Sequence, residues 1–207
     1  MAMQLFMVGA SPYARKVLAA AHEHGLAGRI ERVMGNPHEK PAALLAKNPL
    51  SKVPTLVIED GTILFDSLTI CLYWDSIGQG HTLVPEDPAR RWGVLRRHAV
   101  AHGLMDAAVI RRVEGWSAQE PDRVKAIAKQ KAVCERVVDY CESNIDEFGA
   151  SAEGHEPTLD ALTLGCALGF LDFRFPDDHW RDGHARLAAW YEEIASRPSL
   201  TDTMPHD

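Results

Sequence analysis

The feature that most constrains this chain is the stretch 48–67, N-P-L-S-K-V-P-T-L-V-I-E-D-G-T-I-L-F-D-S. Two short apolar runs, 55–58 and 62–65, flank Glu59-Asp60-Gly61. An Asp-Gly pair between β-rich runs signals a hairpin, because glycine accepts the positive φ of a tight turn. Pro54 opens the first run, a strand-start or edge position where its missing N–H removes no central ladder bond. Asp66 and Ser67 close the second run and precede L-T-I-C-L-Y-W, which is apolar and long enough for a helix. Asp or Ser at that point is a helix N-cap. A hairpin therefore runs directly into a capped helix.

The flanking sequence supplies the remaining elements. Residues 4–8 read as a buried strand, and Gly9-Ala10-Ser11-Pro12 turns into a helix over 13–24 with Val17, Leu18 and Ala21 on one face. Gly25 stops it. Residues 29–34 form a second strand, Asn36-Pro37 a turn, and 40–47 a short helix. The segment 78–88 has two glycines and two prolines without periodicity, which marks a domain boundary. Beyond it the spacing is helical. Trp92, Leu95, Ala99, Val109, Val113 and Trp116 define one face, followed by a break at 115–121. Ile127, Cys134, Val138, Cys141, Ile145 and Phe148 define a second. Residues 161–171 are apolar almost all round, as in a helix buried on every side, and Leu187, Trp190, Tyr191 and Ile194 mark a last amphipathic helix ending at Arg197-Pro198.

The order of elements, together with Lys52-Val53-Pro54 and Asp66-Ser67, resembles the glutathione S-transferases. The resemblance covers essentially the whole chain. It implies an α/β thioredoxin-like domain (1–78), a linker (79–88) and an all-α helical-bundle domain (89–207) that forms the pocket for an electrophile. It also implies that the Val53–Pro54 bond is cis, turning the Val53 N–H and C=O outward to pair with a peptide-like ligand as an added strand. Lys52, Val53 and Pro54 would then bind glutathione. Asp66 would hold its α-amino group, while Ser67 and the free N–H groups of the following helix would hold its α-carboxylate.

The turn S-P-Y-A (11–14) falls where glutaredoxins and related transferases carry C-P-x-C. Both thiol positions are lost, as Ser11 and Ala14, and thiol–disulfide exchange requires a protein thiolate. That reaction is ruled out at Ser11. What remains resembles the bacterial serine-type transferases, in which a serine hydroxyl hydrogen-bonds the glutathione sulfur. From the residues alone, Ser11 is equally an N-cap before a proline at the first helical position. Tyr13 is an alternative hydroxyl. Arg15 and Lys16 read as helix decoration or a dimer contact. The family resemblance places Tyr13, His102, Met105 and Arg112 beside the electrophile.

Other chemistries find weaker support. His98, His102 and Asp106 form a ligand-compatible stripe, but no His-Glu-x-x-His accompanies it, and the reading is that no metal is bound. Cys71, Cys134, Cys141 and Cys166 include no C-x-x-C pair and read as buried hydrophobes in a reducing compartment. A net charge of −7 disfavours a nucleic-acid partner, and no run approaches a membrane span, so a cytoplasmic protein is expected. In the helix containing 161–171, Thr158 occupies the cap, but Ala161 stands where the family's capping box has Asp, and Asp160 comes one position early. On that basis Asp160→Ala should be less destabilising than Thr158→Ala.

The expected function is transfer of glutathione, as co-substrate, to a small hydrophobic electrophile by a homodimer. Two alternatives remain: a transferase-shaped binding protein without catalysis, and a glutathione-dependent isomerase, dehalogenase or peroxidase.

Overall fold

In the computed structural model, which describes residues 2–118, 120–149 and 156–207, the Asp60-Gly61 turn closes as its residues dictate. Gly61 takes φ +89°, the Ile58 N–H donates to Thr62 O at 2.9 Å, and Asp60 Oδ1 accepts from the Thr62 N–H at 2.8 Å. The turn joins β3 (Thr55–Val57) to β4 (Ile63–Leu64). β1 (Met3–Met7) and β2 (Ile30–Met34) complete a sheet of order β2-β1-β3-β4. β1 runs parallel to β2 and antiparallel to β3, which is antiparallel to β4.

Three helices belong to this sheet: α1 (Pro12–Glu23), α2 (Ala42–Leu45) and α3 (Ser67–Ile77). Trp74 of α3 is fully buried and donates its indole N–H to Val17 O of α1 at 3.2 Å. The helix expected over 40–47 shrinks to one turn, because Lys40 is left-handed at φ +48° and Pro41 lacks a backbone donor. Asp75 closes the unit. Its carboxylate accepts from the N–H groups of Leu83 and Val84 at 2.7 and 3.0 Å and meets His24 Nε2 at 2.9 Å.

The helical unit contains α4 (Pro88–Glu114), α5 (Pro121–Asn144), α6 (Leu159–Arg174) and α7 (Ala185–Ala195). The break expected at 115–121 falls between α4 and α5, with Gln119 outside the described residues. As its composition implies, α6 is buried from Leu159 through Leu171. On α4 the bulky residues misled. Trp92 and Trp116 are 68% and 54% exposed, and the buried face is Val94, His98, Ala101, Leu104, Met105 and Ala108. The packed stripe mixes Val94, Leu104 and Met105 with small alanines that let α4 and α6 approach, whereas Trp92 faces outward and Trp116 lies just past the end of α4.

The compact units are Met1–Val84 with Pro198–Asp207, and Pro85–Arg197. This differs from a helical domain running to the end of the chain. A short helix, α8 (Pro198–Thr201), and the residues after it belong with α1. Ser199 Oγ donates to Glu23 Oε1 at 2.5 Å, His22 Nε2 lies 3.2 Å from Asp202 Oδ2, and Arg15 Nη2 donates to Leu200 O at 3.1 Å. Hydrophobic spacing cannot reveal this, because the segment buries one apolar residue, Leu200, and its polar ties join residues separated by nearly the whole chain.

Candidate functional site

Sheet register brings the expected ligand-contacting segments of the first unit to one end of the sheet. Phe6 pairs with Thr55, so Pro54 lies beside the end of β1 and the turn that follows. Leu56 pairs with Leu64, so continuing β4 carries Asp66 and Ser67 to the same end. The Ser11 N–H donates to Val8 O at 3.1 Å, forming the turn from β1 into α1. Two helices, α1 and α3, therefore begin here, and the positive ends of their dipoles make this end attractive to anions.

Each residue has a definite local role. Ser11 is the N-cap of α1, with Pro12 in the first helical turn, and its Oγ accepts from the Ala14 N–H at 3.2 Å. A hydroxyl has one donor and two acceptor positions, so capping occupies an acceptor and leaves the O–H free to donate outward. Asp66 is exposed and caps α3 through Oδ1, which accepts from the N–H groups of Leu68 and Thr69 at 3.0 and 3.5 Å. Its second oxygen can receive an ammonium. Ser67 is buried, as the first residue of α3. The Val53–Pro54 bond is cis, as is Phe65–Asp66, which nothing in the sequence indicated.

The loop carrying Lys52, Val53 and Pro54 is held from behind by Asn48, a buried residue that sequence reading passed over. Asn48 Nδ2 donates to Lys52 O and Thr55 Oγ1 at 3.2 and 2.9 Å. Thr55 Oγ1 donates to Lys52 O at 2.8 Å, and Asn48 Oδ1 accepts from the Leu50 N–H at 2.9 Å. The available signal was Asn48-Pro49, since an Asn before a proline favours a side-chain-closed turn.

Arg15 and Lys16 do not decorate the surface. They are 3% and 0% exposed, on the face of α1 turned inward, and Arg15 holds Leu200. Tyr13 is half-buried on α1. His102, Met105 and Arg112 share one side of α4 in the other unit. Met105 has no exposed surface, and Arg112 lies over the Trp116 ring at 5.8 Å. His102 stands 3.8 Å from Asp106 Oδ1, with its ring 5.4 Å from that of the buried His98.

A cavity of about 390 Å³ lies in the helical unit, lined by residues that include Lys131, Cys134, Asp178, Trp180 and His184, and by none of the expected site residues. Burial pushes the Cys134 thiol up to about 11, so it stays protonated and is no nucleophile. Burial also takes Cys141 to about 12. All four cysteines are buried, and among the described residues none forms a disulfide.

A thioredoxin-like unit whose sheet end gathers a cis-proline loop and two capped helix starts, followed in sequence by an all-helical unit, defines the class. Comparison with known proteins agrees. Residues 10–77 match the glutathione S-transferase N-terminal domain, and residues 124–193 its C-terminal domain. A glutathione transferase family member from Pseudomonas fluorescens Pf-5, solved with bound glutathione, is 38% identical, with both chains covered in full and a TM-score of 0.90. A glutathione S-transferase from Methylobacillus flagellatus KT, solved with glutathione bound, is 30% identical over 99% of this chain and 100% of its own, with a TM-score of 0.85. The uncharacterized GST-like protein YibF of Escherichia coli (strain K12) is 27% identical over 94% of this chain and 95% of its own. This chain belongs to the glutathione transferase family.

Proposed function

We propose that the protein binds glutathione at the sheet end described above and joins its thiolate sulfur to a small electrophile, forming a conjugate of the whole tripeptide and releasing any leaving group from the electrophile. The observation that carries this reading is the convergence of the Val53–Pro54 loop, the Asp66–Ser67 helix start and the Ser11 turn, set by strand register. A γ-glutamyl tripeptide presents an ammonium, a carboxylate, a peptide backbone and a thiol. Asp66 meets the ammonium, and Ser67 with the α3 N-terminus meets the carboxylate. Lys52 and the Val53 main chain meet the backbone, and the spare O–H of Ser11 meets the sulfur. Glutathione in the Pseudomonas and Methylobacillus relatives supports the ligand assignment.

The hydroxyl and helix dipole favour a thiolate. If the thiol falls from about 8.5 to about 6.5, its ionised fraction at pH 7 rises from about 3% to about 75%. Lower basicity returns about eightfold of that gain, leaving about threefold. The larger contribution is holding sulfur and electrophile together. Ser11→Ala removes both the donor and the placement of the sulfur, so turnover should fall about tenfold or more while glutathione affinity changes little. Steady-state kinetics with an aryl halide, alongside calorimetric titration with glutathione, test this. Unchanged turnover would remove Ser11 from the mechanism, and no glutathione binding by the unaltered protein would end the reading.

The protein is proposed to work as a homodimer, for which the exposed Trp92 and Trp116 supply apolar surface. Sedimentation at micromolar concentration would check it. Among the described residues no helix is long and apolar enough to cross a membrane.

A further inference from the structure

The turn that presents Ser11 is gripped on both sides by the segment Pro198–Asp207, a contact within the first unit. Gly9 lies two residues before Ser11. Its backbone is outside the left-handed region, so conformation alone does not require glycine there. What stands where a larger residue would go is the imidazole of His206, an exposed residue whose ring lies over Gly9. A Cβ built on Gly9 would lie 2.6 Å from His206 Nδ1 and 2.8 Å from Nε2, so the ring or the turn must shift to admit it. The His206 N–H also donates to Gly9 O at 3.4 Å.

On the other side, Arg15 makes the first helical bond of α1, from its N–H to Ser11 O at 3.0 Å. Its guanidinium is buried, and Nη2 reaches Leu200 O at 3.1 Å and Met204 Sδ at 3.6 Å. Nε and Nη1 have no acceptor among the described residues. A buried guanidinium short of acceptors is poorly placed to lose the one carbonyl it has. Arg15 therefore anchors the segment from one side of the turn, and His206 covers the bare Cα of Gly9 from the other.

We propose that His206 is a positioning residue for the reaction. Stacked on Gly9, its imidazole fixes the 9–11 turn and hence the direction of the Ser11 hydroxyl. The inference rests on the transferase reading for its consequence, but not for the contact itself.

The geometry defines a paired test using Gly9→Ala, His206→Ala and the double variant. The added methyl of Gly9→Ala collides with the ring, so the ring must leave the turn or the turn must shift; removing the ring in the double variant restores room. Two measurements are made on each protein: amide hydrogen exchange over 9–14, and kcat and KM for glutathione with an aryl chloride. Gly9→Ala is expected to speed exchange and lower kcat, each by about tenfold, with KM within about threefold. The double variant should recover most of the kcat lost by Gly9→Ala and retain only the milder loosening of His206→Ala. If Gly9→Ala exchanges and turns over like the unaltered protein, or if the double variant is as slow as Gly9→Ala, His206 does not hold the turn. If the unaltered protein neither binds glutathione nor turns over, the transferase reading fails, and the exchange measurements still decide whether His206 orders the turn. Should Gly9→Ala not fold, His206→Ala alone must raise exchange over 9–14 while KM stays unchanged, and failure to do so overturns the proposal.

Discussion

Ser11 and Asp66 each satisfy free N–H groups of the helix they precede, whereas Thr158, at the same position before α6, makes no side-chain cap bond. Its Oγ1 is buried without a partner among the described residues. Asp160, the acid of the supposed capping box, is fully buried, and its Oδ2 accepts from Arg97 Nε of α4 at 2.6 Å. Arg97 is itself only 14% exposed and lies 5.9 Å from the Phe148 ring. Similar sequence signatures thus serve local capping at the two helix starts of the sheet end and a tertiary tie in the helical unit. A capping residue in a sequence says that a helix can start there, not where its side chain will be used.

The expectation that Asp160→Ala is the milder change is therefore reversed. Removing one member of a buried ion pair leaves a charge without its partner, and Glu147, 4.0 Å from Arg97, compensates only in part. Asp160→Ala should destabilise by about 3 kcal/mol in urea melts. Thr158→Ala, which deletes an unpaired hydroxyl, should change stability by less than about 1 kcal/mol. Equal midpoints for the two variants would break the contrast between the regions.

Smaller effects sharpen it. Ser11→Ala and Asp66→Ala each lose a real cap and should destabilise by about 1 kcal/mol, measurable by the same melts. Asp66→Ala should in addition abolish retention on immobilised glutathione, which Ser11→Ala should not. The smallest effect is electrostatic. Burial works against the charged form of His184, but its bonds to Asp139 Oδ1 at 2.8 Å and to Trp180 O at 2.7 Å outweigh burial and raise its pKa above 6.5. A raised folded-state value means the contribution to stability is complete below about pH 6.5 and is lost as pH rises through the folded value. Melting temperature should therefore decline across that window, and His184→Gln should flatten the decline.

Much of the first unit was legible because its signals are local. Asp60-Gly61 sets the hairpin, Pro12 and Ser11 set the start of α1, and Asp66 sets the start of α3. The residues that the resemblance assigns to glutathione lie on or beside those short segments, so register carries them to one sheet end, whereas His102, Met105 and Arg112 lie on α4. The helical unit was less legible. Periodicity located α4, but the exposed Trp92 and Ala99 lie off its buried face, which Val94, Leu104 and Met105 share with small alanines. Asn48 was missed because a buried amide that braces a loop looks, in sequence, like any turn residue.

The amino-acid order by itself determined where strands turn, where helices start and which residue types stand at the sheet end, because those choices rest on backbone dihedrals and on neighbours a few residues away. Only the tertiary structure decided that Arg15 is buried against Leu200, that Asp160 pairs with Arg97, and that the ring of His206 occupies the space a side chain at position 9 would need. Such pairings join residues far apart in the chain. Their energies depend on burial and distance, which no short window of sequence contains.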